Sequence, residues 1–105
     1  MRLKERELNN RLHIFNNKDV VVSIQEDFKT RFELYNLQIR FNNYNGILYI
    51  ADYTKKNYIK INITTVCSIK LENGILKIQL DNSVIKIKNK NWRWISKWIK
   101  KKLKD

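Results

Sequence analysis

Residues 58–88 read YIKINITTVCSIKLENGILKIQLDNSVIKIK, and the fold turns on how this stretch alternates. Successive side chains of a strand point to opposite faces, so a half-buried strand alternates apolar and polar residues. Ile59, Ile61 and Ile63 share one face, with Tyr58, Lys60 and Asn62 on the other. In residues 66–72 the same rule turns Cys67, Ile69 and Leu71 inward. In 75–80 it turns Leu76, Ile78 and Leu80 inward and Lys77 and Gln79 outward. In 84–88 Ile85 and Ile87 face in, and Lys86 and Lys88 face out. Asn73-Gly74 joins two of these runs as a two-residue type I′ hairpin turn, and residues 81–83 form a further turn.

Downstream, the pattern changes period. Residues 91–104, NWRWISKWIKKKLK, predict a helix. At about 100° per residue, Trp92, Trp94, Ile95, Trp98, Ile99 and Leu103 fall on one half of the circumference. Arg93, Lys97, Lys100, Lys101 and Lys104 fall on the other, and Lys102 alone breaks the division. Tryptophan buries a large area, so this helix is expected to pack on the strands, with Trp98 in the core.

Upstream, residues 2–15 predict a first helix, with Leu8, Leu12 and Phe15 at i, i+4 and i+7. Residues 20–24 are mostly β-branched and apolar and read as a strand. The next segment supports two readings. Ser23 and Glu26 fit a capping box, and Phe28, Phe32, Tyr35 and Ile39 recur at helical spacing, which makes 25–35 a helix. Alternatively, Phe32 and Leu34 alternate, and Leu37, Ile39 and Phe41 alternate in the opposite phase. A long strand bent at Tyr35-Asn36 satisfies that pattern and is preferred. Residues 42–45 turn at Gly46, 47–50 form an apolar strand, and 52–57 form an exposed loop carrying Lys55 and Lys56.

These segments predict one α+β domain over residues 1–105: an N-terminal helix (1–15), a strand region (20–88) and a C-terminal amphipathic helix (91–104). The strands make a small bent antiparallel sheet or barrel of about seven strands, with the C-terminal helix packed on it. A composition of 43% hydrophobic residues, without proline or a Gly/Ser linker, suits a single packed core.

Meandering strands leading into a Trp-bearing helix, INITTVCSIKLENGILKIQLDNSVIKIKNKNWRWISKWIKK at 61–101, resemble the pleckstrin-homology/GRAM-like superfamily. The resemblance implies a bent antiparallel barrel plugged at one end by a C-terminal helix, with the first helix as an addition. In lipid-binding members, basic residues near the first hairpin grip inositol phosphates, and Lys29 and Arg31, with Lys18 upstream, are the nearest match. Glu26 and Asp27 beside them depart from that pattern. A winged helix, with 2–15 and 25–35 helical and 47–63 as the wing, is the alternative architecture. It lacks a separate recognition helix before the wing.

The net charge is +12, from 22 basic and 10 acidic residues, and it calls for an anionic partner. Abundant Lys, Asn and Ile fit an AT-rich genome, such as that of a bacterium or of a phage or plasmid it carries. That bias exchanges Arg for Lys but does not remove acids. No Ser/His/Asp grouping, carboxylate pair or phosphate-cradling glycine loop points to catalysis. His13 reads as a surface residue and Cys67 as a small core residue, so no enzyme, metal or cofactor is expected. A lone cysteine, the absence of a long apolar run and a polar opening segment suit the cytoplasm.

The expected function is non-enzymatic nucleic-acid binding, with DNA favoured and contact made through phosphates. The candidate residues are Arg40, Lys55, Lys56, Lys60, Lys70, Lys77, Lys86, Lys88, Arg93 and Lys97, with Tyr58 placed to stack on a base. The rival is an adaptor for an acidic protein or anionic membrane surface, to which a Lys- and Trp-rich amphipathic helix is suited. The sequence leaves the oligomeric state open.

Overall fold

The computed structural model describes residues 3–42 and 45–91. Most of the expected final helix, including Trp98, Arg93 and Lys97, lies outside these residues. Helix α1 (Leu3–Leu12) passes into a 3-10 turn (His13–Phe15). Eight strands follow among the described residues: β1 (Val20–Gln25), β2 (Lys29–Leu34), β3 (Gln38–Asn42), β4 (Ile47–Ala51), β5 (Tyr58–Asn62), β6 (Val66–Glu72), β7 (Ile75–Leu80) and β8 (Val84–Asn89).

All pairings are antiparallel and form two sheets, β2-β1-β8-β7-β6 and β3-β4-β5. Among the described residues the strands do not close into a barrel, and β2, β6, β3 and β5 remain edges. The inner faces of both sheets and the α1 stripe bury one continuous apolar cluster. Leu8, Leu12, Val22, Leu34, Leu48, Ile50, Ile61, Leu76, Ile78 and Ile87 are all 0–1% exposed within it. Burying each such side chain stabilises the fold by about 1.5–3 kcal/mol, more than the propensity of a ten-residue helix or a single hairpin supplies.

Residues 25–35 are strand and turn, which removes both the helical reading and the winged helix. Ser23 does not cap a helix, because it sits in the ladder between Arg31 and Lys86. The single bent strand becomes two. Glu26–Phe28 forms a hairpin tip, the Glu26 N–H donating to the Phe28 carbonyl (3.3 Å), and the chain turns a corner between Leu34 and Gln38. Asn36 holds the corner at φ 50°, a left-handed conformation that asparagine tolerates better than branched residues do.

The corner passes the chain from one sheet to the other and is tied on both sides. The Tyr53 N–H donates to the Tyr35 carbonyl (3.1 Å), the Asn17 N–H to the Leu37 carbonyl (2.9 Å) and the Leu37 N–H to the Lys18 carbonyl (3.0 Å). The Asn36 N–H reaches Asp19 Oδ1 at 3.0 Å. The opposite phases of Phe32/Leu34 and Leu37/Ile39 therefore serve two different inner faces.

At Asn73-Gly74 both residues have positive φ (54° and 78°), and Glu72 pairs directly with Ile75, as a type I′ hairpin requires. One inward assignment is overturned. Cys67 is exposed, because β6 carries a bulge: Val66 pairs with Leu80 and Ser68 with Gln79, which leaves Cys67 as the extra residue. A bulge shifts the alternation by one residue. Val66 and Ile69 consequently share the inner face although they are three apart.

Candidate nucleic-acid interface

Alternation decides which residues face outward, and strand register decides which of them are neighbours. On the outer face of the five-stranded sheet, Arg31 lies opposite Ser23, Ser23 opposite Lys86, Lys86 opposite Lys77, and Lys77 opposite Lys70. One row thus crosses all five strands with four cations and no acid. At about 4.8 Å per strand it spans about 19 Å.

The row on one side reads Lys29, Gln25, Val84, Gln79, Ser68. The row on the other reads Glu33, Val21, Lys88, Ile75, Glu72, with its acids at the two sheet edges. Like charges directly opposite each other destabilise a sheet. Lys86, Lys77 and Lys70 nevertheless stand side by side, all exposed, and no acid pairs with any of them among the described residues. Ser23, Gln25, Lys29, Lys77, Val84 and Lys86 line a depression of about 180 Å³ on this face, so three of its six lining residues are lysines.

The acid at one edge is engaged locally. The Tyr35 hydroxyl donates to Glu33, and Lys90 Nζ lies 3.5 Å from Glu33 Oε2 and 4.7 Å from the Tyr35 ring centre. The hydrogen bond from Tyr35, with Lys90 nearby, lowers the Glu33 carboxyl below its ordinary value. The same partners, Tyr35 first, raise the Lys90 ammonium.

The outer face of the three-stranded sheet has a different chemistry. Arg40 lies opposite Tyr49 and Tyr49 opposite Lys60, while Tyr58 stands opposite Ala51 in the next row. The Tyr49 and Tyr58 ring centres are 6.2 Å apart at 52°. Lys60 Nζ sits 5.8 Å from the Tyr49 centre and 5.9 Å from that of Tyr58, within cation–π range. Strands β3, β4 and β5 contain no Asp or Glu.

Glu33 of β2 lines a depression with Lys56 and Tyr58, whereas Asp52, at the start of the loop after β4, is turned inward and buried. Its carboxylate accepts from the Thr54 N–H (3.0 Å), Thr54 Oγ1 (2.5 Å) and Asn57 Nδ2 (3.0 Å), bonds that lower its pKa, chiefly through the Thr54 hydroxyl. This organises loop 52–57 and leaves Lys55 and Lys56 exposed at its tip, Lys55 with φ 65°.

The expected site residues therefore fall into two groups. Lys70, Lys77, Lys86 and Lys88 lie on the five-stranded face, with Lys88 half-buried in the row that carries the edge acids. Arg40, Tyr58 and Lys60 lie on the three-stranded face, and Lys55 and Lys56 on the loop beside it. Arg93 and Lys97 lie outside the described residues. Three residues complete the groups: Lys29 and Arg31 on the five-stranded face and Tyr49 on the other. Tyr49 was open to the alternation rule, since Leu48 and Ile50 flank it and face inward. No family model, curated protein or solved structure matches the chain.

Proposed function

We propose that the protein is a non-enzymatic nucleic-acid-binding domain, with DNA as the favoured partner, that holds the phosphate backbone on the outer face of its five-stranded sheet. The row Arg31, Lys86, Lys77, Lys70 carries this reading. Three directly opposed lysines without an intervening acid cost the free protein stability, and a polyanion laid across them relieves that repulsion. A duplex presents one negative charge per about 1.7 Å of axis, so a row about 19 Å long meets several phosphates at once. Ser23 and Gln25 add polar groups between the cations, of the kind that position a backbone without reading sequence.

The test sets fluorescence anisotropy with a labelled duplex beside co-sedimentation with anionic vesicles, both at low salt. Duplex binding that exceeds vesicle binding supports the proposal. Vesicle binding without duplex binding would replace it with the adaptor for an acidic membrane, and binding to neither would leave acidic proteins as the partner class.

A further inference from the structure

We infer that the outer face of the three-stranded sheet takes single-stranded nucleic acid, its bases stacked on Tyr58 and Tyr49 and its phosphates held by Arg40 and Lys60. The inference rests on nucleic acid being the partner, but on residues separate from the lysine row. Tyr58 is 52% exposed although its ring is large and apolar. It stands beside a second tyrosine at 6.2 Å on a three-stranded surface, with a cation directly opposite Tyr49 on each flanking strand. The Lys60 ammonium lies over both rings at 5.8 and 5.9 Å from their centres, so a phosphate that draws it away frees those faces for bases.

Duplex DNA hides its base faces in the stack, so a ring pair on a sheet surface gains nothing from it. An unpaired strand exposes those faces, and aromatic stacking with nearby cations is how such strands are held without sequence preference. The three strands carry no acid and Asp52 turns inward, while Glu33, which shares a depression with Lys56 and Tyr58, is already engaged by Tyr35 and Lys90. The exposed lysines of loop 52–57 extend the cationic surface next to Tyr58.

The experiment measures anisotropy of three labelled probes at one low salt concentration: an oligothymidylate, an abasic strand of equal length and a duplex. Wild-type protein, Tyr58→Leu, Tyr58→Phe and Tyr49→Leu are compared. The inference expects the oligothymidylate to bind about tenfold or more tightly than the abasic strand, because stacking on each aromatic ring contributes that order of affinity. Tyr58→Leu should lose that advantage and Tyr58→Phe should keep it. Tyr49→Leu should lose it as well, with duplex binding retained by every variant as the sign that each is folded. Equal binding of abasic strand and oligothymidylate, or an unchanged preference in Tyr58→Leu, overturns the inference while duplex binding leaves the lysine row standing. A wild type that binds none of the three probes overturns both.

Discussion

The two outer faces of this molecule are built over one core and carry unlike chemistry. The five-stranded face has a row of cations with no aromatic ring and keeps its acids, Glu33 and Glu72, at the edges. The three-stranded face has fewer cations, two tyrosines and no acid. Below them the difference vanishes, since Ile78 and Ile87 under one face and Ile50 and Ile61 under the other belong to a single buried cluster. The inner residues make the sheets one folding unit, and the outer residues, free of that duty, divide into two surfaces. Exposed side chains contribute little to stability, so the two faces can be altered separately.

The largest effect comes from the shared core. Ile78→Ala and Ile61→Ala, one beneath each face, should each cost about 2–5 kcal/mol. Because the cluster is continuous, each should lower the urea midpoint of the whole domain in a single transition. Two transitions, or a loss confined to one face's binding, would show that the sheets fold independently and would break the comparison at its base.

A smaller effect separates the faces. Gly74→Val forces a β-branched residue into φ 78° at the β6–β7 turn, at a cost of about 1–3 kcal/mol. That hairpin carries Lys70 and Lys77 and none of the tyrosine face. Melting temperature should fall, and duplex affinity should fall more than single-strand affinity. An unchanged melting temperature would contradict the hairpin pairing of Glu72 with Ile75.

The smallest effect concerns the edge acid. Glu33 has its carboxyl lowered from its ordinary value of 4.5, so its contribution is present above about pH 4.5 and is lost as pH falls through the lower folded value. Lys90 is raised from its ordinary 10.5, so its contribution is present below that pH and is lost as pH rises through the higher folded value. The clasp is therefore complete between those limits. Glu33→Gln should lower the melting temperature slightly at neutral pH and flatten the acid side of its profile, so that variant and wild type converge as pH falls below 4.5. A variant profile that overlays the wild type at neutral pH as well as in the acid range would show that the clasp makes no contribution.

Sequence carried the facing of most residues but not their neighbours. Alternation put Ile59, Ile61, Leu76, Ile78, Ile85 and Ile87 inside and Lys60, Lys77 and Lys86 outside, because each strand buries one face. It misplaced Cys67, since Cys67, Ile69 and Leu71 alternate without interruption and the bulge exists only through pairing with β7. The corner at Tyr35-Asn36 was visible as a phase flip. That it divides one strand between two sheets was not, because the bonds that pin it come from Asn17, Asp19 and Tyr53. The lysine row was hidden for the same reason. Arg31 and Lys86 are distant in sequence and enter one row, on either side of Ser23, only because β8 returns to pair with β1.

The central claim is that this row grips phosphates, and salt dependence tests it most directly. Six cations, Lys29, Arg31, Lys70, Lys77, Lys86 and Lys88, lie on the five-stranded face. Full engagement of six phosphates gives a slope of log affinity against log salt of about −5. The measurement is duplex affinity by anisotropy from low to physiological salt for the wild type and for Lys77→Ala/Lys86→Ala, the adjacent pair at the depression. The account predicts a steep wild-type slope, flattened by about two units in the double variant, with equal loss on unrelated duplex sequences and an unchanged urea midpoint. The same slope in both proteins would contradict it and move the phosphate contacts off this row.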